Sequence, residues 1–167
     1  MRPDVSSNPR SVLIAARTLP DAGLLSGQFD QHRHSSLPAI TGNAQRLEQV
    51  VINLIVNACQ ALQDKDRAIR LVTRVDAAQQ WIALEISDEG CGIDKADLAR
   101  ITDPFFTTRR EQGGTGLGLA ISQRIVQDHG GRMIFESTRG KGTAVLVEFP
   151  VNPSQDPMAK ERENRER

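Results

Sequence analysis

The sequence predicts an α+β domain in which amphipathic helices alternate with β-hairpins. Three observations carry this. Within residues 43–63, Leu47, Val50, Val51, Leu54, Ile55, Ala58, Ala61 and Leu62 recur at helical spacing and form one apolar face. Two pairs of alternating runs, 68–75 with 81–88 and 132–138 with 143–149, are joined by short polar or glycine-containing turns. Between the pairs, Gly113-Gly114-Thr115-Gly116-Leu117-Gly118-Leu119 feeds a second helical pattern over 115–129, ended by Gly130-Gly131.

The flanks and the weaker elements follow in order. Residues 1–10 are polar and are expected to be flexible. Residues 11–19 read as a short helix stopped by Pro20. Short edge strands are expected near 28–32 and 38–40. His32 and His34 lie in this polar stretch without cysteines or a carboxylate cluster, the setting of solvated histidines rather than metal ligands. A short helix over 94–101, capped at or near Asp94, follows the first hairpin. Residues 151–167 are charged and nearly free of apolar side chains, as in a disordered tail or linker. The expected domain is therefore 11–150.

Composition narrows the function. At 167 residues the chain is about one domain long. Lys+Arg and Asp+Glu balance at 21 each, so nothing points to nucleic acid or to an anionic membrane surface. Cys59 and Cys91 are too few for a disulfide framework and sit in no metal-ligand spacing. They fit a reducing compartment, and the cytoplasm is expected. No run approaches the ~18 consecutive apolar residues of a membrane-crossing helix, and the first residues lack the apolar core of a signal peptide.

Four stretches can carry chemistry. The first is a polar stripe beside the apolar face of the 43–63 helix: Gln49, Asn53, Asn57 and Gln60. Asparagine is a mediocre helix former, so two beside a core face ask for partners. They are either helix-surface amides or a site for a hard cation, since amide oxygens bind Mg²⁺ without adding charge. The second is Asp88, which shares the strand parity of Ile82, Leu84 and Ile86 and so points to the core side of the sheet. A carboxylate there needs a donor. It serves either its own turn, Glu89-Gly90-Cys91-Gly92, or a flat ligand against that backbone.

The third, Asp103-Pro104-Phe105-Phe106-Thr107-Thr108-Arg109, holds two of the five phenylalanines and then turns polar. It reads as an anchored surface loop or as a mobile lid with Phe105 or Phe106 as anchor. The fourth is the glycine stretch, with four of thirteen glycines in seven residues. A glycine loop entering a helix N-terminus presents free N–H groups and a favourable dipole to phosphate, or else it is a turn. It lacks the Gly-Lys-Ser/Thr of a P-loop and is not the G-x-G-x-x-G of a dinucleotide fold.

In order and spacing, Asn53-Leu54-Ile55-Val56-Asn57-Ala58, Asp88-Glu89-Gly90-Cys91-Gly92, Asp103-Pro104-Phe105-Phe106-Thr107-Thr108 and Gly114-Thr115-Gly116-Leu117-Gly118-Leu119 closely resemble the ATP-binding catalytic domain of sensor histidine kinases. That group belongs to the superfamily of gyrase, Hsp90 and MutL-type ATPases. The resemblance covers about residues 37–149. It implies a two-layer α/β sandwich, with a mixed, mostly antiparallel sheet under about three helices and ATP between helices and lid.

By the same resemblance Asn57 ligates Mg²⁺ and Asn53 helps order the metal shell or the phosphates. Asp88 reads adenine, Gly90 and Gly92 flank the base, and Ile93 and Thr143 belong to the nucleotide-contacting set. Phe105, Thr108 and Arg109 belong to the lid, with Arg109 as its cation in place of a lysine found in many relatives. Gly114, Thr115, Gly116, Leu117, Gly118 and Leu119 close over the phosphates. Ala substitutions at Gly116 and Gly118 are therefore expected to weaken triphosphate binding more than adenosine binding.

Asparagine rather than glutamate at position 53 favours transfer to a protein over hydrolysis. The implied partner is a histidine-containing dimerisation domain, with a response regulator downstream. His32 and His34 sit in a context neither helical nor acidic, and His129 lies inside the last helix of the domain, so none reads as the phospho-accepting histidine. Serine-directed kinases of the anti-sigma-factor type and a non-enzymatic nucleotide-binding interaction module are the competing readings.

Overall fold

The strongest helical period in the chain becomes the longest helix among the described residues. In the computed structural model, which describes residues 6–7, 29–32, 38, 40–64, 66–76, 78, 80–110 and 113–151, helix α1 spans Ala44–Ala61. Asn43 caps it, its Oδ1 accepting from the Arg46 N–H at 3.1 Å. Leu47, Val50, Val51, Leu54, Ile55, Ala58 and Ala61 are all buried. The predicted helix over 11–19 and the tail beyond 151 lie outside the described residues.

Upstream of α1, β1 (Ser6–Ser7) pairs antiparallel with β3 (Ile40–Thr41), and β2 (Phe29–His32) lies between them in sequence. Downstream come β4 (Ile69–Val75), β5 (Trp81–Asp88), α2 (Lys95–Leu98), α3 (Gly118–Asp128), β6 (Arg132–Thr138) and β7 (Gly142–Pro150). The main sheet has the order β2-β4-β5-β7-β6. Only β2 runs parallel to its neighbour among the described strands, so the sheet is mixed and mostly antiparallel, as expected. The first hairpin turns on Asp76, whose carboxylate accepts from Gln80 N at 2.6 Å and Trp81 N at 2.7 Å.

Helices α1 and α3 cover one face of this sheet. Ile82, Leu84 and Ile86 of β5 and Val147 and Phe149 of β7 meet the apolar face of α1 and the Ile125 and Val126 side of α3. The core is thus one layer of helix on one layer of sheet.

Two helices differ most from the sequence reading. Helix α3 starts at Gly118 rather than at 115, because the glycines before it turn the chain; Gly113 and Gly116 have φ of 82° and 67°. Its buried residues are Ser122, Ile125 and Val126, whereas Ile121 is 46% exposed. A helical period drawn through Leu117, Ile121 and Ile125 would bury Ile121; the observed face is rotated from it by one residue. Helix α2 is a single turn, continued by irregular turns through Asp103. Asp94 precedes it, but its carboxylate pairs with Arg139 instead of capping.

α3 is clasped to α1 at both ends. At the C-terminal end, the His129 Nδ1–H donates to the Ile125 carbonyl at 2.7 Å and Nε2 accepts from Asn43 N–H at 3.1 Å. A carbonyl on one side and an N–H on the other fix this tautomer. The ring also meets Phe149 edge-on, and Gly42 leaves room for it where any Cβ would overlap its Cδ2. Beside it Arg46 pairs with Asp128 at 2.7 Å. His129 therefore holds two helices together. His129→Ala is expected to destabilise the domain by about 2 kcal/mol, since it leaves a cavity and takes from the Asn43 N–H its acceptor. The denaturation midpoint measures this.

Candidate functional site

A cavity of about 530 Å³ opens between α1, the β5–α2 loop, the loop before α3 and the sheet. Its two ends follow from helix geometry. Ala61, at the C-terminus of α1, accepts from Cys91 N–H at 2.9 Å, so this end of the helix abuts the loop after β5. Asn53 lies eight residues earlier, about 12 Å along the axis, and touches the start of α3. The cavity thus runs along α1 from Asp88 to Gly118. Leu54, Ala58, Ile86 and Val145 are among the apolar groups lining it.

At the Asp88 end the chain is tightly knotted. Asp88 faces the cavity from the core side of β5, as its parity predicts. One carboxylate oxygen accepts from Gly90 N at 2.8 Å. Burial pushes its carboxyl above the ordinary aspartate value, while the N–H groups of Gly90 and Thr143 and the charge of Arg109 pull the other way. Ser137 Oγ accepts from Ile93 N at 2.8 Å and donates to Gly142 O at 3.0 Å. Gly140 N donates to Cys91 O at 2.7 Å. Gly92 and Gly142 have φ of 65° and 109°, and a Cβ on either would overlap the backbone opposite. The β6–β7 turn is therefore a buttress for the Asp88 loop.

At the other end the two asparagines behave differently. Asn53 is fully engaged: Nδ2 donates to Gly118 O at 3.2 Å and Ser122 Oγ at 3.1 Å, and Oδ1 accepts from Gln49 Nε2 at 3.0 Å. Asn57 lines the cavity, and its side chain takes no hydrogen bond from the described residues. Its amide oxygen is the free hard donor of the site, which fits Mg²⁺. The first N–H groups of α3, from Gly118 onward, lack intrahelical partners.

The loop between α2 and α3 is folded against itself. Phe105 N donates to Gly116 O at 2.9 Å, and Gly114 N to Arg109 O at 3.0 Å. Thr107 Oγ1 accepts from Arg109 N at 3.1 Å. Of the adjacent phenylalanines, Phe106 lines the cavity. Phe105, the expected ligand contact, is 66% exposed with φ of 67°. The Arg109 guanidinium lies 3.4 Å from Gln60 Oε1 and 3.9 Å from Cys91 Sγ, toward the Asp88 end.

The cavity thus gathers Asn53, Asn57, Asp88, Gly92, Ile93, Thr108, Arg109, Gly114, Thr115, Gly116, Gly118, Leu119 and Thr143 from the sequence-predicted set. It does not gather Phe105, Leu117 or Gly90. Gly90 acts instead through its N–H on Asp88, packed where a Cβ would strike Ala61. Sequence reading missed Ser122, which is 0% exposed. Its signal was a lone hydroxyl one turn after Gly118 on a face otherwise filled by Ile125 and Val126.

An elongated cleft with a half-buried carboxylate at one end, and amides and a helix N-terminus toward the other, is of the nucleotide-binding kind. Comparison with known proteins places it more narrowly. Residues 42–153 match the model of the histidine kinase-, DNA gyrase B- and HSP90-like ATPase family. The chain belongs to that family.

Among curated relatives, the signal transduction histidine-protein kinase AtoS of Escherichia coli K12 is 41% identical over 126 residues, 75% of this chain and 20% of AtoS. Sporulation kinase E of Bacillus subtilis 168 is 33% identical over 145 residues, 87% of this chain and 19% of that protein. The chain spans about a fifth of the length of the curated relatives it matches. Full-length ShkA, solved in complex with AMPPNP, superposes with a TM-score of 0.73 at 24% identity, over 91% of this chain and 32% of ShkA. That likeness establishes the fold.

Proposed function

We propose that this domain binds Mg·ATP along α1 and passes the γ-phosphoryl group to a histidine on a dimerisation domain of its parent kinase. A response regulator then receives the phosphoryl group. The single observation that carries the reading is the convergence of four separated motifs on one cleft, with the cavity-facing Asn57 amide unpartnered among the described residues. Asp88 accepts from the adenine amine at the base end. Gly92, Ile93 and Thr143 line that end, and Phe106 and Thr108 cover the ligand from the lid.

Along α1 from the base end Asn57 would hold Mg²⁺, which, when bound, screens the phosphate charge. The N–H groups of Gly116 and Gly118 and the N-terminus of α3 meet the phosphates. The domain's own work is to position the triphosphate, exclude water under the lid and leave the γ-phosphoryl group in line for an incoming imidazole. Val56 at the cavity, Ile121 on α3 and Phe105 on the lid are exposed large apolar side chains, and they support docking of an apolar partner there. Free Cys59 and Cys91 support a location in the reducing cytoplasm.

The test is titration of the chain with ATP, with and without Mg²⁺, followed by mixing with the parent's histidine domain. Metal-dependent binding and an acid-labile phosphorylated product support the reading. An acid-stable product transfers it to a serine-directed kinase. Binding without transfer makes the domain an interaction module.

A further inference from the structure

The Asn53 amide has an unusually complete set of partners for a side chain lining an open cleft. Both hydrogens of Nδ2 are used, one on the Gly118 carbonyl and one on Ser122 Oγ, and Gln49 occupies one lone pair of Oδ1. A carbonyl accepts and never donates, so the amide orientation is set: nitrogen toward α3, oxygen toward Gln49. We propose that Ser122 is a positioning residue for the triphosphate. It acts through Asn53 to fix the N-terminus of α3, and the hinge of the glycine lid, at a set distance from Asn57. This rests on the nucleotide site proposed above.

Ser122 is the buried polar side chain of the described core, at 0% exposure among apolar neighbours. A buried hydroxyl is costly unless bonded, and an apolar side chain of similar size packs at least as well. Its partner across the helix interface is Asn53, so the hydroxyl is there for that amide. The consequence falls on the far end of the cleft alone. Asp88, Gly92 and Thr143 are held by the β6–β7 turn, which shares no hydrogen bond with Asn53, Ser122 or Gln49. Gln49 completes the arrangement from solvent: it is exposed, so removing it tests the same amide without disturbing the core.

The experiment is calorimetric titration of the full chain with adenosine and with Mg·ATP. The proteins compared are wild type, Ser122→Ala, Gln49→Leu, Asn53→Ala and the Ser122→Ala/Asn53→Ala double variant. Loss of one neutral hydrogen bond corresponds to about fivefold in affinity. Ser122→Ala and Gln49→Leu are each expected to weaken Mg·ATP about fivefold while adenosine stays within about twofold. Gln49→Leu should do so at an unchanged melting temperature. In the Asn53→Ala background, Ser122→Ala should change nothing further.

Equal weakening of both ligands overturns the inference, because it marks a general packing role. An undiminished effect of Ser122→Ala without Asn53 overturns it too. Wild-type binding of Mg·ATP that Ser122→Ala and Gln49→Leu leave intact removes this inference alone. Failure of the wild type to bind Mg·ATP removes the proposed function with it.

Discussion

Replacing Asp88 by asparagine is expected to stabilise the ligand-free domain and to cost it adenine binding. The two effects have one cause. The carboxylate is half-buried in an apolar cleft, and burial raises its pKa above the ordinary value. Two backbone N–H groups, from Gly90 and Thr143, offset part of this, and the Arg109 charge adds to them. An asparagine oxygen accepts from the same two groups without carrying a charge out of water.

The folded protein therefore holds the Asp88 proton more tightly than the unfolded chain, whose carboxyl titrates near about 3.9. Relative to low pH, stability is lost as pH rises from that value through the raised folded one. Above this window the wild type carries the cost of the charge and the variant does not. The melting temperature of Asp88→Asn should exceed that of wild type at pH 7, and the gap should close as the pH approaches about 4. Ligand binding moves oppositely. A charged acceptor facing an exocyclic amine is worth about 1.5–3 kcal/mol, so adenosine affinity should fall roughly tenfold to hundredfold. A variant that is less stable than wild type at pH 7, or that binds adenosine normally, removes Asp88 from the role of base reader.

Parity and periodicity made much of this site legible. Seven buried residues of α1 were readable because a 3.6-residue period on a long helix admits only one face. Asp88 was readable because strand parity has only two values. What escaped was set by contacts distant in sequence. Phe105 and Phe106 are adjacent and chemically identical, and the bond from Phe105 N–H to the Gly116 carbonyl belongs to a backbone that turns Phe105 outward. Propensity places Leu117 and Ile121 with the core, yet Asn53 needs acceptors on α3, and the helix presents Gly118 and Ser122 to it. The parallel pairing of β2 with β4 joins segments about forty residues apart, Phe29 with Ile69, and no local pattern encodes it. Arg109 reads as the cation of the lid, and its contacts with Gln60 and Cys91, which turn it toward the Asp88 loop, join residues that no local pattern links.

The glycines before α3 look alike in sequence and are separated by structure, so their alanine variants should fail differently. Gly116 has φ of 67°, and a Cβ there would lie 2.5 Å from the carbonyl carbon of Phe105 and 2.7 Å from the Phe106 oxygen. Both neighbours are backbone and cannot move aside without opening the contact from Phe105 N to Gly116 O. Left-handed backbone in a non-glycine residue costs about 1 kcal/mol or more, before any overlap is counted. Gly116→Ala should therefore unfasten the lid in the free protein, raising hydrogen exchange at Phe105 and Gly114, and weaken Mg·ATP at least tenfold.

Gly118 is the first residue of α3, with helical neighbours and a nearest contact of 3.9 Å to Asn53 Cγ. Alanine fits there without strain and favours the helix. Gly118→Ala should leave lid exchange as in wild type and weaken Mg·ATP only through the methyl group it places before the phosphates. Adenosine binding should survive both changes, because the loop that carries Asp88 is buttressed by the β6–β7 turn. If Gly116→Ala weakens adenosine as much as Mg·ATP, the glycines are supporting the whole cleft, and their assignment to a phosphate lid is wrong.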